Sequence, residues 1–106
     1  MNELMNTMEL TVTMVRAAAA HTGLLPSKII GTGRCVALCE ARWACWLAMR
    51  SAGFTLVEIG QAFRRNHATV LVALKQVPCH RGEREAAFRE LCEVVRKSIL
   101  ETEVAS

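Results

Sequence analysis

The chain has 106 residues, a net charge of +3, 52% hydrophobic residues and 22% charged ones. That length suits one domain around a single core, and the apolar share is too high for a disordered chain. There is no Asp and no Tyr, which excludes an aspartyl dyad, an Asp-based Mg²⁺ site and an EF-hand loop, and there is no phosphate loop of the G-x-x-x-x-G-K-[ST] type and no G-x-G-x-x-G turn.

Proline and glycine are sparse, and Pro26, Gly31, Gly33, Gly53, Pro78 and Gly82 divide the sequence into helical segments. An all-α, multi-helix domain is the expectation. The first helix runs from about residue 3 to 21, with Leu4, Met8, Val12, Val15 and Ala19 recurring at three- and four-residue steps as one apolar stripe. Ala17 to Ala20 have the highest helix propensity available, and Gly23 ends the segment. A short helix over 26–30 follows, with Pro26 in its first turn. The glycine-rich segment 31–34 reads as a flexible loop. A long helix over 35–52 contains alanine at five positions, two tryptophans and no breaker before Gly53. At least one of Trp43 and Trp46 is expected to anchor the core, and packing is favoured over ligand stacking for both. The β-branched run at 69–72 lies within a segment better read as helix.

Residues 55–77 read as helix, tight turn, helix. Thr55 with Glu58 three residues later forms a capping box, and Leu56, Ile59, Gly60 and Phe63 then share one side. Arg64 and Arg65 make a polar break. Asn66 is a good N-cap for a second helix over 67–77, whose buried face is expected to carry Val70, Leu71 and Leu74. Gly60 lacks a side chain where the two helices must approach closely. Two architectures share this pattern: a plain αα-hairpin, in which Asn66 and His67 only cap, and a helix-turn-helix that presents the amino end of its second helix to a DNA groove. In the latter, Asn66, His67, Ala68 and Thr69 lie nearest the base edges. Asn can engage adenine at two points, His can donate, and Ala and Thr methyls suit the thymine methyl. Arg64, Arg65 and Lys75 would reach phosphates. The charge distribution agrees, since residues 34–78 carry six basic and two acidic side chains.

The segment beyond residue 78 contains a further helix over about 83–101. Phe88, Leu91, Cys92, Val95 and Ile99 form its stripe, flanked by alternating charges. The stripe either folds back on the core or forms a homodimer interface. The organisation is therefore a domain over 1–78 and a helical extension over 79–106. Five cysteines with no secretory signal point to free thiols in a reducing, cytoplasmic compartment. Cys35 and Cys39 with Cys79 and His80 do not match a standard zinc knuckle, and Cys35, Cys39 and Cys45 read more simply as small core or near-core residues of a helix, so no metal and no cofactor are expected. The longest apolar run, 44–49, is too short to span a bilayer.

Residues 56–77 resemble the C-terminal DNA-binding domain of the bacterial replication initiator DnaA. The family signature is Ile-Gly, a variable pair, an apolar residue, a short polar turn, then Asp-His-Ser/Thr-Thr-Val and an apolar-rich helix. This chain supplies Ile59-Gly60, Phe63, Arg64-Arg65, Asn66-His67-Ala68-Thr69-Val70, Ala73 and Lys75. The resemblance extends through 35–52 and, more loosely, to 12–30. It implies an all-helical fold with a helix-turn-helix, similar to that of the Trp repressor, and double-stranded DNA as the partner. It further implies that Asn66, His67 and Thr69 read bases in the major groove of a nonamer, the DnaA box, and that Arg42, the nearest match to an Arg of the family's long helix, enters the minor groove. Asn66 stands where the family has an acidic residue and Ala68 where it has a hydroxyl, and the family's basic loop is reduced to residues 31–34, with Arg34 its one cation. These departures bear on which sequence is preferred. Without the initiator's ATPase module the chain resembles a stand-alone regulator of replication or transcription, of bacterial, phage or mobile-element origin, that needs no nucleotide.

The competing class is a helical protein-interaction adaptor that does not bind DNA. An enzyme has little support, because His21, His67 and His80 have no Asp partner and no Cys–His pair sits in a recognisable nucleophile motif.

Overall fold

The computed structural model describes residues 7–76 and 85–105. Six helices follow in order: α1 (Thr7–Thr22), α2 (Pro26–Ile30), α3 (Val36–Ser51), α4 (Leu56–Ala62), α5 (His67–Gln76) and α6 (Glu85–Ala105). Among the described residues there is no strand, and the fold is all-α.

The core-facing side of α1 departs from the expected stripe. Met8 and Val12 are exposed, at 75% and 40%, whereas Leu10, Met14 and Ala18 are buried with Thr11, Val15 and Ala19 beside them; Leu4 lies outside the described residues. The reason is that Thr11 behaves as an apolar residue. Its hydroxyl donates to the Thr7 carbonyl at 2.7 Å within the helix, so its methyl can be buried without an unsatisfied polar atom. A stripe drawn around Thr11 puts Val12, about 200° from Leu10, on the outside. Gly23 closes α1 in the left-handed region with φ 81°, and its N–H donates to the Ala19 carbonyl at 2.8 Å.

Helix α3 is the element around which the others pack. Ala41, Ala44, Cys45 and Met49 are almost fully buried, and α1, α2, α4, α5 and α6 all touch it. Its two indoles serve two different neighbours. Trp46, 3% exposed, meets the Phe63 ring edge-on at a centroid distance of 5.8 Å, and Trp43 meets Phe88 of α6 in the same manner at 6.4 Å. Both geometries are the T-shaped arrangement that ring quadrupoles favour.

Helix α6 lies against α1 and α3. Phe88, Leu91, Val95 and Ile99 are buried there and Cys92 is half-buried, so the stripe that offered two possibilities faces inward within the chain. The outer side is charged, with Arg89 paired to Glu85 at 2.6 Å and Arg96 to Glu93, while Glu90 approaches His21 of α1 at 3.8 Å. Among the described residues no helix is long and apolar enough to cross a membrane, and no group of three or more potential metal ligands occurs. Cys79 and His80 lie outside the described residues.

The thiols sort by burial. Desolvation pushes the Cys45 thiol up to about 12, with Cys92 adding to the rise, and burial followed by the Glu93 charge pushes Cys92 up to about 11. Cys35, by contrast, is exposed at the start of α3. Because the thiolate is the reactive form, alkylation of the native protein followed by peptide mapping should label Cys35 well ahead of Cys45, which should be slower by more than about 100-fold until the chain is unfolded. Equal labelling of the two would contradict the burial of α3.

Candidate nucleic-acid interface

The helix pair is built from its caps inward. The Thr55 hydroxyl accepts from the Glu58 N–H at 3.1 Å, and the Glu58 carboxylate accepts from the Thr55 N–H at 2.8 Å, completing the capping box. Ile59, Gly60 and Phe63 are buried and Leu56 is half-buried, as the sequence pattern requires. The chain then reverses. Arg64 takes the left-handed conformation with φ 56°, and the Arg65 N–H returns to the Gly60 carbonyl at 2.7 Å. This fold-back brings the turn onto Gly60 itself. A Cβ there would lie 2.5 Å from the Arg65 carbonyl oxygen and 3.3 Å from the His67 nitrogen. The sequence anticipates a close approach at Gly60, and the structure identifies the partner as the turn backbone.

Asn66 opens α5. Its side-chain oxygen accepts from the Ala68 N–H at 2.7 Å, satisfying one of the first-turn donors. That bond fixes the orientation of the amide at the helix end. A two-point contact with adenine uses the amide oxygen and nitrogen together, and the oxygen's second lone pair and the nitrogen are left for such a partner.

Asn66, His67, Ala68 and Thr69 are all exposed, directly before the fully buried Val70. Farther along α5, Ala73 rather than Leu71 completes the buried side, Leu74 is half-buried, and Leu71 is 38% exposed. The contact is made to α3 and α4, which see the Val70–Ala73 edge, and Leu71 is rotated about 100° from it. Val72 is 54% exposed and Lys75 is exposed in the last turn. Val72 and Gln76 line a shallow depression together with Ala68 and Thr69. Sequence reasoning missed these two, although a four-residue step from Ala68 leads to Val72 and another to Gln76.

The arginines divide into two kinds. Arg34 and Arg64 are exposed. Arg42 and Arg65 are tied to backbone. Arg42, expected to reach a minor groove, is 5% exposed, and its Nε donates to the Ile29 carbonyl at 2.6 Å while Nη2 donates to Gly31 at 2.8 Å and Lys28 at 3.2 Å. It closes the carboxyl end of α2, where carbonyls lack partners within the helix. Burial, and then the nearby Arg65 charge, hold its guanidinium below the ordinary arginine value. Arg65 donates to Phe63 at 2.9 Å and also to Gly31. The segment 31–34, read from sequence as flexible, is therefore held at Gly31 by two side chains.

The electrostatics of this half of the molecule are one-sided. Between Leu10 and Gln76 the carboxylates are Glu40 and Glu58 alone. Glu40 is buried, and Glu58 is engaged in the capping box. No known protein-family model matches the chain.

Two substitutions check this construction. Gly60→Ala forces a methyl against backbone that cannot yield cheaply, and the urea midpoint should fall by an amount corresponding to about 1–3 kcal/mol. Arg42→Ala leaves three carbonyls short of a charged donor and should cost about 2–3 kcal/mol, whereas Arg42→Lys recovers only part, because one ammonium cannot replace a planar fork. An unchanged midpoint for Arg42→Ala would show that the clamp contributes nothing.

Proposed function

We propose that this protein binds double-stranded DNA sequence-selectively, with the amino end of α5 in the major groove. The observation that carries the reading is the exposure of four consecutive side chains, Asn66, His67, Ala68 and Thr69, at the start of a helix braced by α4. A short turn, a bracing helix and an outward second helix are what groove insertion requires. His67 and Thr69 supply hydrogen-bonding groups at base-edge distance in such a complex. Ala68, with Val72 one turn later, supplies apolar surface suited to thymine methyls. Asn66, held by its cap, offers its amide nitrogen as a donor and the second lone pair of its oxygen as an acceptor. Arg64, Arg34 and Lys75 provide phosphate contacts, which set affinity and register without reading sequence. Arg42 positions the α2 end and the 31–34 segment instead of entering a groove.

The resemblance of residues 56–77 to the DnaA DNA-binding domain supports the same reading and suggests DnaA-box-like sites as the first targets to try. The role that fits a reader of this kind is regulation of replication or transcription by occupying such sites.

Selection of bound duplexes from a random pool, followed by fluorescence anisotropy on the winners, tests this directly. His67→Ala and Thr69→Ala should each lose about 1–3 kcal/mol of discrimination between selected and scrambled duplexes. Arg64→Gln should weaken all duplexes alike and reduce the slope of log K against log salt by about 0.9. If no duplex is retained at low salt, or if the His67/Thr69 double variant discriminates as the parent does, the reading is wrong and the adaptor class takes its place.

A further inference from the structure

Beside the exposed turn lies a cleft of about 570 Å³ between the 31–34 segment, α3 and α5. Arg34, Arg42, Arg64 and Arg65 all line it, and no carboxylate does so among the described residues. Two of these guanidinium groups, Arg42 and Arg65, converge on the single carbonyl oxygen of Gly31. A carbonyl dipole only partly offsets two full positive charges, and a cluster of like charges of this kind is relieved by an anion. The hydroxyl-bearing Thr32 and Thr69 stand on the same lining. Trp46 also lines the cleft, and its indole N–H is buried without a hydrogen-bond partner. Buried donors are rarely left in that state, and an acceptor-rich ligand that reached it through a small shift of the ring would satisfy it.

We propose that this cleft is a binding site for a phosphoryl group. Phosphate matches the lining in charge, in its several acceptor oxygens and in the two-point geometry that the guanidinium forks of Arg34 and Arg64 can offer, with Arg42 and Arg65 adding charge from behind their backbone bonds. The group could be presented by a free phosphate or phosphomonoester or by a DNA backbone, and the site reaches Thr69 at the start of α5 in either case. An occupant therefore sits against the surface assigned to base contact, which makes a free anion a competitor of the duplex. The inference goes beyond DNA reading and stands on the cleft itself.

The protein carries its own reporter, because its two tryptophans, Trp43 and Trp46, both line the cleft. Inorganic phosphate and pyrophosphate are titrated into the full chain, with sodium chloride at matched ionic strength as control, and intrinsic fluorescence is followed. A duplex titration is run in parallel. The Arg34→Gln/Arg64→Gln variant is compared with the parent. Both residues are exposed, so its thermal midpoint and circular dichroism should match the parent's. Saturation by phosphate or pyrophosphate, at least 10-fold weaker in the variant, supports the site with a free anion as source. A fluorescence change that only duplex produces, and that the variant loses, supports it with the DNA backbone as source. No saturable change with any of these probes, a change that chloride reproduces, or a response the variant retains in full overturns it. Saturation by phosphate in a chain that retains no duplex sinks the DNA reading and leaves this site standing, so the two failures are distinguishable.

Discussion

The carbonyl oxygen of Gly31 is where three parts of the chain are fastened together. It belongs to the end of α2, it accepts from Arg42 on α3, and it accepts from Arg65 in the turn between α4 and α5. Neither arginine can be shortened without releasing one of those parts. Each brings its charge into a region that carries few carboxylates, and Arg42 does so while 5% exposed. The desolvation this entails is offset by charge-assisted bonds to carbonyls that would otherwise lack partners. The second constraint, the contact of the turn backbone with Gly60, acts on the same turn from the other side. Together they fix the direction in which α5 leaves the turn, and hence which of its residues face outward.

Much of this was legible in the residues. The short helix over 26–30, the capping box at Thr55 and Glu58, the cap at Asn66 and the apolar stripe of α6, though not the surface it packs on, follow from local rules, because each depends on a few neighbouring positions. The failures share a different cause. Hydrophobicity places Met8, Val12 and Leu71 inward, yet they are exposed, because which of two overlapping stripes faces the core depends on what the neighbouring helices present. Thr11 and Ala73 replace them, one with a hydroxyl satisfied internally and the other small enough for close helix contact. The family resemblance assigns Arg42 to DNA, whereas it is buried in α3. Its burial depends on α2 ending over α3, which no sequence periodicity encodes.

Within the candidate site, the identities at positions 66–69 and the capping role of Asn66 could be read from the sequence, but not which N–H its oxygen takes. The bond from the Ala68 N–H fixes the amide's orientation at the helix end and leaves its nitrogen and the oxygen's second lone pair for other partners. In the proposed complex those are the groups position 66 would offer to a base edge.

The exposed side of α5 extends the argument. In the proposed complex the face presented to the groove is Ala68, Thr69, Val72 and Gln76, with Lys75 at the far end, so it holds more methyl groups than charges. Methyl-rich faces discriminate by fit against thymine and by exclusion of water, and they discriminate weakly. Long-range attraction then comes from Arg34, Arg64 and Lys75 around that face, in a half of the molecule whose two carboxylates are buried or engaged. In the proposed complex such a division would make affinity salt-dependent, with selectivity resting on the few polar groups at the amino end of α5. It would also make the arginine-lined cleft consequential, because an occupant lying against Thr69 and neutralising Arg34 and Arg64 would lower the electrostatic contribution on which binding to any sequence would depend.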